Sequence, residues 1–503
     1  MGSSHKTERN IMKSSNSKAD EKYKYDDLIS HLKEYSNSGI VPMHMPGAKR
    51  NDKLIEKYMS DMGNPYEIDI TEIDGFDNMH NADGIIKKAF EKTAALYGAD
   101  ESLFLVNGST AGNMAAICGV TDKGDCIIVA RNCHISVYNA VILNELDASY
   151  VYPQYDDEYG FYKGISLGEI KAAVEKNKNK DIKAVVITSP TYEGNVSDIR
   201  AIASYLHGYN IPLIVDEAHG AHFKFSGEFP KTAVEQGADI VINSVHKTLP
   251  SLTQTAVMHI NYGYVNVSKV KRYWNIYQST SPSYILMGSI DRCMSIIHKD
   301  GEYLFEKYTE QLKILRSRLE KLNNIRLIAS DDISKIVIGC DNAKKLYDIL
   351  LNKYGIQLEM SSLRYAIAMT SVFDTKEYYD RLYNALSEID KCYDEVIAEK
   401  DNNKLVLAGT ERINIAGFNN KCAMRIADAL RKGDRNGYDK IMLTDCSLYG
   451  RISAKLVYVY PPGIPILCPG ELISENVVNI INKAIDNGLE VVGIDKGAMI
   501  CLK

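Results

Sequence analysis

The stretch Ala238-Asp-Ile-Val-Ile-Asn-Ser-Val-His-Lys-Thr-Leu-Pro-Ser-Leu-Thr-Gln-Thr255 carries an apolar run, Ile240 to Ile242, that empties into the polar cluster Asn243, Ser244, His246, Lys247 and Thr248. The run reads as a buried strand. Pro250 and Ser251 bar a helix from continuing through the cluster. A lysine at the mouth of a buried strand must be solvated, paired or reacted. Taken alone, Ser-x-His-Lys is better explained as a surface loop. A second apolar run changes the balance: thirty-one residues before Lys247 it ends in Asp216, within Val215-Asp-Glu-Ala-His219. The two segments together suggest a lysine that holds an aldehyde cofactor and an aspartate that protonates its ring.

Outward from there, short β-branched runs alternate with helical spacing. Glu101 to Val106, Cys126 to Ala130, Ala184 to Ile187, Pro212 to Val215 and Ile240 to Ile242 read as strands. Gly84 to Tyr97, Asn113 to Val120, Val137 to Asn144 and Ile199 to Tyr209 read as helices. That alternation predicts an α/β fold with a mostly parallel sheet. Ligands of such sheets sit beyond the carboxyl ends of the strands, and the polar clusters fall there: 107–113, 131–136, 189–195, 216–219 and 244–247. A long helix, Tyr284 to Leu322, then leads to strands at Ser334 to Ile338 and Tyr365 to Thr370, with helices at Ala343 to Tyr354 and Lys376 to Ala398. The expected organisation is an N-terminal arm (1–40), a large cofactor-binding domain (41–300), a small α+β domain (301–398) and a C-terminal α+β domain (399–503). Asp401 to Lys404 reads as the linker.

Each strand end offers a piece of chemistry. Asn107-Gly-Ser-Thr-Ala-Gly-Asn113 combines a tight turn at Gly108, the hydroxyls of Ser109 and Thr110, and a helix N-terminus with free N–H donors. It suits one phosphate and lacks the patterns for a dinucleotide or a nucleoside triphosphate. Asp216, behind four apolar residues, needs a donor or cation if it is to stay charged when buried; a pyridinium N–H would serve. His134 offers a flat face for stacking. Lys247, desolvated or near other cations, would be acidified enough to attack a carbonyl. A phosphate cradle, a stacking His, an Asp and a Lys are the parts a pyridoxal phosphate enzyme needs.

With these motifs in view, the chain resembles the pyridoxal-phosphate-dependent ornithine/lysine/arginine decarboxylases of the aspartate aminotransferase fold (fold type I). The resemblance covers nearly everything after about residue 25. It rests on the segments already quoted and on Ser189-Pro-Thr-Tyr-Glu-Gly194, Asp216-Glu-Ala-His-Gly-Ala-His222, Ser279-Thr-Ser-Pro-Ser-Tyr284, Tyr460-Pro-Pro-Gly-Ile-Pro465 and Pro469-Gly-Glu471. It implies decarboxylation of a basic amino acid through an internal aldimine at Lys247. His246 would contact phosphate or help protonate product, Asp216 would pair with the ring nitrogen, and Ala218 and His134 would cover the two ring faces. Ser109, Thr110 and Ser244 would bind phosphate. Ser279 and Thr280 would reach a partner subunit's cofactor across a homodimer interface. His219 and Glu471 would lie near the substrate, Glu471 at its distal cationic end.

Two departures stand out. There is no room for the N-terminal wing of the long members, so the chain resembles the short, wingless branch. The early loop reads Pro46-Gly47-Ala48 where the family commonly has Pro-Gly-His. Aminotransferase or lyase chemistry, or a member that has lost activity, are the alternative readings, and Arg364 is the residue an aminotransferase could offer to a substrate carboxylate.

Composition narrows the classes further. With 45% hydrophobic and 25% charged residues and a net charge of −6, nothing points to nucleic acid. The ten scattered cysteines, with no C-x-x-C pair, argue against zinc and disulfides and for a reducing compartment. No apolar run approaches the length of a membrane span and the N-terminus is polar, so a cytoplasmic location is expected.

Overall fold

The computed structural model describes residues 32, 35–397, 420–460, 463–486 and 488–503. Most of the expected arm, the Asp401 to Lys404 linker and the Pro461-Pro462 pair lie outside these residues.

The large sheet has seven strands: β1 (Glu101–Leu105), β2 (Cys126–Ala130), β3 (Asp147–Val151), β4 (Ile182–Thr188), β5 (Leu213–Asp216), β6 (Ile240–Asn243) and β7 (Ala256–Ile260). Their order is β1-β7-β6-β5-β4-β2-β3, and β7 is antiparallel to its two neighbours while the remaining pairs are parallel. Ile127, Ile128, Val129, Val185, Val186, Ile187, Leu213, Ile214 and Val215 are all fully buried. That is why these runs show no alternation: a parallel sheet is covered on both faces. The core is continuous from this sheet into the region that follows it.

Helices fill the crossovers: α1 (Ile85–Tyr97), α2 (Gly108–Val120), α3 (Ile135–Leu143), α4 (Leu167–Lys176) and α5 (Ile199–His207). Local chemistry starts them. Ser166 and Glu169 form a reciprocal capping box on α4, and Asp198 accepts from the Ala201 N–H at 3.0 Å on α5. α2 depends on tertiary contact instead. A Cβ on Gly112 would lie 2.6 Å from Leu105 Cδ1, and one on Gly119 would lie 2.6 Å from the Val270 Cα. The missing side chains let α2 press onto the sheet at Gly112 and onto the helix Val267–Tyr277 at Gly119, with its N-terminus at the strand ends. It therefore begins at Gly108, five residues before the expected start at Asn113.

A single helical turn, α6 (Val245–Thr248), follows β6, where the sequence suggested a loop; it stops at Leu249, extended at φ −121° before Pro250. After α7 (Val267–Tyr277), the long α8 (Tyr284–Leu319) leads to a second sheet. Its strands are β8 (Arg326–Ile328), β9 (Lys335–Gly339), β10 (Met360–Ser361) and β11 (Tyr365–Met369), in the antiparallel order β8-β9-β11-β10. α9 (Ala343–Tyr354) and α10 (Lys376–Lys391) belong to the same region. The N-terminal segment joins it too, since Val41–Met43 pairs in parallel with Ile356–Leu358.

The C-terminal residues carry their own cluster, including Leu448, Val457, Leu467, Ile473, Val477 and Ile481. Ile426–Asn436 is helical there and packs against α3. Tyr438–Met442 pairs with Ala498–Leu502, and Val457–Tyr460 lies between Ile464–Leu467 and Glu490–Val492.

Candidate active site

The turn after β6 sets Lys247. Ser244 caps α6 without using its hydroxyl on the helix, which leaves Oγ to meet Ser109 Oγ at 2.5 Å. His246 Nδ1 lies 2.8 Å from the Thr255 carbonyl, an arrangement that places its proton on Nδ1. On the other side the Gly47 N–H donates to the His246 carbonyl at 2.8 Å. A Cβ at Gly47 would meet the Leu249 carbonyl oxygen at 2.6 Å. The loop holding Ala48 is thus laid directly against the Lys247 turn, and Ala48 itself is half-buried.

Lys247 Nζ is 3.0 Å from His219 Nε2. Burial pushes the Lys247 amine below the usual lysine range, opposed by the charges of Asp216 and Glu359. Burial, followed by the charge of Lys247, holds His219 well below the usual histidine value. A neutral imidazole accepting from an acidified amine is an arrangement that releases a nucleophile.

Asp216 is buried at the end of β5, and its carboxylate takes one donor per oxygen: Asn113 Nδ2 at 2.8 Å and the Ala218 N–H at 3.1 Å. Asn113 sends its other proton to Ser136 Oγ at 3.0 Å, and Ser136 Oγ lies 2.9 Å from His134 Nδ1. The Ser136 N–H also points at that nitrogen, at 3.2 Å. One chain of hydrogen bonds therefore orients both the aspartate and the His134 ring. Burial lowers the His134 pKa and favours an uncharged flat face.

Across the site, Gly108 adopts φ +74° at the start of α2, presenting Ser109 and Thr110 at the helix N-terminus. The preceding loop is clamped: Gln278 Oε1 accepts from the Val106 and Asn107 N–H groups at 2.9 and 3.2 Å, while Gln254 Nε2 donates to the Val106 carbonyl at 2.6 Å. Ser279 and Thr280 follow Gln278 and are exposed.

The remaining wall comes from far along the chain. The Tyr192 ring centroid is 4.7 Å from that of His219. Tyr192 donates its hydroxyl to Glu359 Oε1 at 2.6 Å, and the Met45 N–H donates to Glu359 Oε2 at 2.9 Å. Lys335 is fully buried; its ammonium has no hydrogen-bond partner among the described residues and lies 3.6 Å from Asp332. Arg364 is exposed and donates to the Glu158 carbonyl at 3.0 Å, so it is spent away from Lys247.

Glu471 is not gathered with the others. Its Oε2 accepts from Arg131 Nη2 at 3.1 Å, the Cys468 N–H at 2.8 Å and Asn420 Nδ2 at 3.0 Å, with both charged side chains almost wholly buried. It ties the C-terminal residues to the strand-end loop that carries His134. Lys247, His219, Asp216, Ala218, His134, His246, Ser244 and Ser109 do converge. Sequence reasoning gave no role to Asn113, Ser136, Tyr192 or Glu359. The first three lie inside clusters already singled out, whereas nothing local marks Glu359.

With this geometry in hand, comparison with known proteins is informative. The family described as Orn/Lys/Arg decarboxylase, major domain, matches residues 24–343, and its C-terminal domain matches residues 410–486. An arginine decarboxylase of Bacillus subtilis is 31% identical over 481 residues, covering 93% of this chain and 95% of its own. One from Bacillus anthracis is 30% identical, covering 93% and 94%. Among solved structures, the lysine decarboxylase of Francisella novicida superposes with a TM-score of 0.74 at 20% identity, covering 94% of this chain and 80% of its own.

Proposed function

The chain belongs to the Orn/Lys/Arg decarboxylase family, and from that premise we propose that it removes CO2 from a basic amino acid, arginine first among them, using pyridoxal phosphate held at Lys247. Arginine leads because relatives from Bacillus subtilis and Bacillus anthracis, 31% and 30% identical along nearly their whole length, are named for that substrate. The observation that carries the reading is the Lys247 amine, 3.0 Å from a neutral His219 and acidified by burial.

The donor set fits the cofactor. Ser109 and Ser244 bring two hydroxyls together beside the α2 N-terminus, a suitable berth for a phosphate. Asp216 is buried with only neutral N–H donors on its oxygens, so a ring N–H cation would complete it. Ala218 and His134 supply a small side chain and a flat ring for the two faces. When bound, pyridoxal phosphate supplies an electron-withdrawing ring that stabilises the charge left on the substrate's α-carbon as CO2 departs.

The chain's own residues do the rest. His219 Nε2 accepts a hydrogen bond from Lys247 Nζ and, being neutral, adds no second cation beside the amine. Asn113 keeps the Asp216 carboxylate aimed, and Ser136 fixes the His134 ring. His246, with its proton committed from Nδ1 to the Thr255 carbonyl, keeps Nε2 as an acceptor. No described arginine grips a substrate carboxylate beside Lys247, which suits a reaction that expels that group rather than one that keeps it. The exposed Ser279 and Thr280 suit a homodimer in which they approach the neighbour's phosphate, in a cytoplasmic enzyme.

The test uses purified protein. An absorbance band removed by borohydride, with the trapped adduct on a Lys247 peptide, and CO2 release from arginine, lysine or ornithine are the expected results. A colourless protein with no adduct at Lys247 refutes the cofactor assignment. Keto acid without CO2 makes it a transaminase.

A further inference from the structure

Resting on that decarboxylase reading, in which the His134 ring covers one face of the cofactor, we infer that residues 420–503 set the angle of that ring, with Arg131 and Glu471 as the positioning residues. Arg131 opens the loop between β2 and α3, three residues before His134. Its Nη1 donates to the Tyr138 hydroxyl at 3.0 Å and to Cys468 Sγ at 3.1 Å, and its Nη2 to the Ile466 carbonyl at 3.2 Å and to Glu471 at 3.1 Å. All four protons of the two terminal nitrogens thus have an acceptor, which leaves the side chain one orientation. The Tyr138 hydroxyl in turn donates to the Arg131 carbonyl at 2.9 Å. Arg131 is therefore fastened at once to α3 and to the 466–471 segment.

A second grip falls at the other end of α3. Glu145, just past its C-terminus, pairs with Arg431, and Arg425 Nη1 reaches the Glu145 carbonyl at 3.5 Å. Asp428 holds both arginines, at 2.7 and 2.6 Å. Ile426 and Cys468 are buried in the core that surrounds the large sheet rather than in the C-terminal cluster. The C-terminal residues thus bracket α3, whose N-cap is His134 itself. A helix held at both ends cannot tilt freely, and the His134 ring is bonded to its first turn through the hydroxyl and N–H of Ser136. Of the two grips, the one at Glu145 is partly exposed and contributes little. The Arg131–Glu471 pair is almost wholly buried and dominates. The sheet's own hold on the loop is lighter: the Arg131 N–H donates to the Val151 carbonyl at 2.8 Å and the Cys133 N–H to the Ala130 carbonyl at 3.0 Å.

The test compares wild type, Glu471→Gln, Val477→Ala, His134→Ala and the double variant Glu471→Gln with His134→Ala. Val477 is buried in the separate C-terminal cluster, so truncating it loosens the same residues without touching Arg131. Amide exchange at Ser136, read without cofactor, should quicken about tenfold in Glu471→Gln and keep the wild-type rate in Val477→Ala. In the holoenzymes, Glu471→Gln should weaken the visible circular dichroism of bound pyridoxal phosphate. It should also lower kcat by about 10- to 100-fold with little change in KM, since a misplaced ring disturbs the chemical step more than substrate binding. On the His134→Ala background the same substitution should add less than about twofold, because the two act through one ring. Unchanged Ser136 exchange in Glu471→Gln, or full additivity with His134→Ala, overturns the inference. An equal response from Val477→Ala also overturns it, by reducing the effect to C-terminal stability. If wild type takes up no pyridoxal phosphate the decarboxylase reading fails, while Ser136 exchange still decides the coupling.

Discussion

Consider the substitution Glu471→Ala. In the native protein Glu471 and Arg131 retain only 2% and 3% of their side-chain exposure, and they meet at 3.1 Å. Removing the carboxylate strands the Arg131 guanidinium in a site with little water. It also deprives the Cys468 N–H and Asn420 Nδ2 of their acceptor. Breaking one side of a buried pair costs about 3–5 kcal/mol, a large share of the roughly 5–15 kcal/mol that holds a domain folded. Arg131 keeps other partners: Nη1 donates to the Tyr138 hydroxyl at 3.0 Å and Nη2 to the Ile466 carbonyl at 3.2 Å, and the Tyr150 ring lies 5.1 Å away. The cost should therefore fall at the lower end, near 3 kcal/mol. Glu471→Gln, which keeps an acceptor oxygen, should cost about half as much. Since desolvating two charges opposes their attraction, the double change Arg131→Met with Glu471→Met should recover most of the loss. Hydrogen exchange under graded urea is the appropriate assay, because it reads residues 420–503 separately from the large sheet. Early exchange confined to 420–503, the 131–134 loop and the first turn of α3 is expected. A Glu471→Ala protein within about 1 kcal/mol of wild type, or a double variant no better than the single one, would refute the reasoning.

Three further outcomes follow from the same geometry. Asn113→Ala removes a 2.8 Å donor from Asp216 and the link to Ser136; cofactor retention, read by dialysis and absorbance, should fall by about 10- to 100-fold, and an unchanged dissociation constant would contradict the role given to Asn113. The pH dependence of covalent trapping should show a midpoint below the ordinary lysine value, since burial lowers the Lys247 pKa. Asp216→Asn should move that midpoint lower still, because the Asp216 charge now raises it; an upward shift measured by borohydride trapping would reverse the sign. Gly112→Ala forces a Cβ to 2.6 Å from Leu105; thermal denaturation should show about 1–3 kcal/mol of destabilisation, with a weaker cofactor affinity as the α2 N-terminus is displaced.

The sequence made the large sheet legible because its parallel strands are uninterrupted β-branched runs and its chemistry sits at their ends. Lys247, Asp216, His134 and Ser109 were readable in this way. What escaped has a physical reason in each case. β7, Ala256–Ile260, includes a buried His259 that hydrogen-bonds to Ser102 and Asn243, so its pattern is not simply apolar. The first turn of α2 is Gly-Ser-Thr-Ala-Gly, poor in helix propensity and made helical by contact with the sheet. Glu471 was legible as part of a motif, but its partner Arg131 lies 340 residues away and no local pattern announces a buried ion pair. Glu359 sits in a bend of the second sheet whose proximity to Lys247 exists only once Tyr192 and the early loop are in place.

The position of β1 has a consequence for the order in which the molecule is made. It is one of the sheet's two edge strands, and its one sheet neighbour is β7, which lies about 150 residues further along the chain. At synthesis rates of 5–20 residues per second, Glu101–Leu105 waits roughly 8–30 s for a partner to emerge. During that interval α2 has neither the Leu105–Ile242 surface to lie on nor Ser244 to meet Ser109. The phosphate berth is consequently among the last parts to assemble, after much of the parallel sheet can already have formed. Cofactor uptake by a nascent chain should therefore mark the end of large-sheet formation rather than its beginning, and a chain halted before residue 256 should take up none.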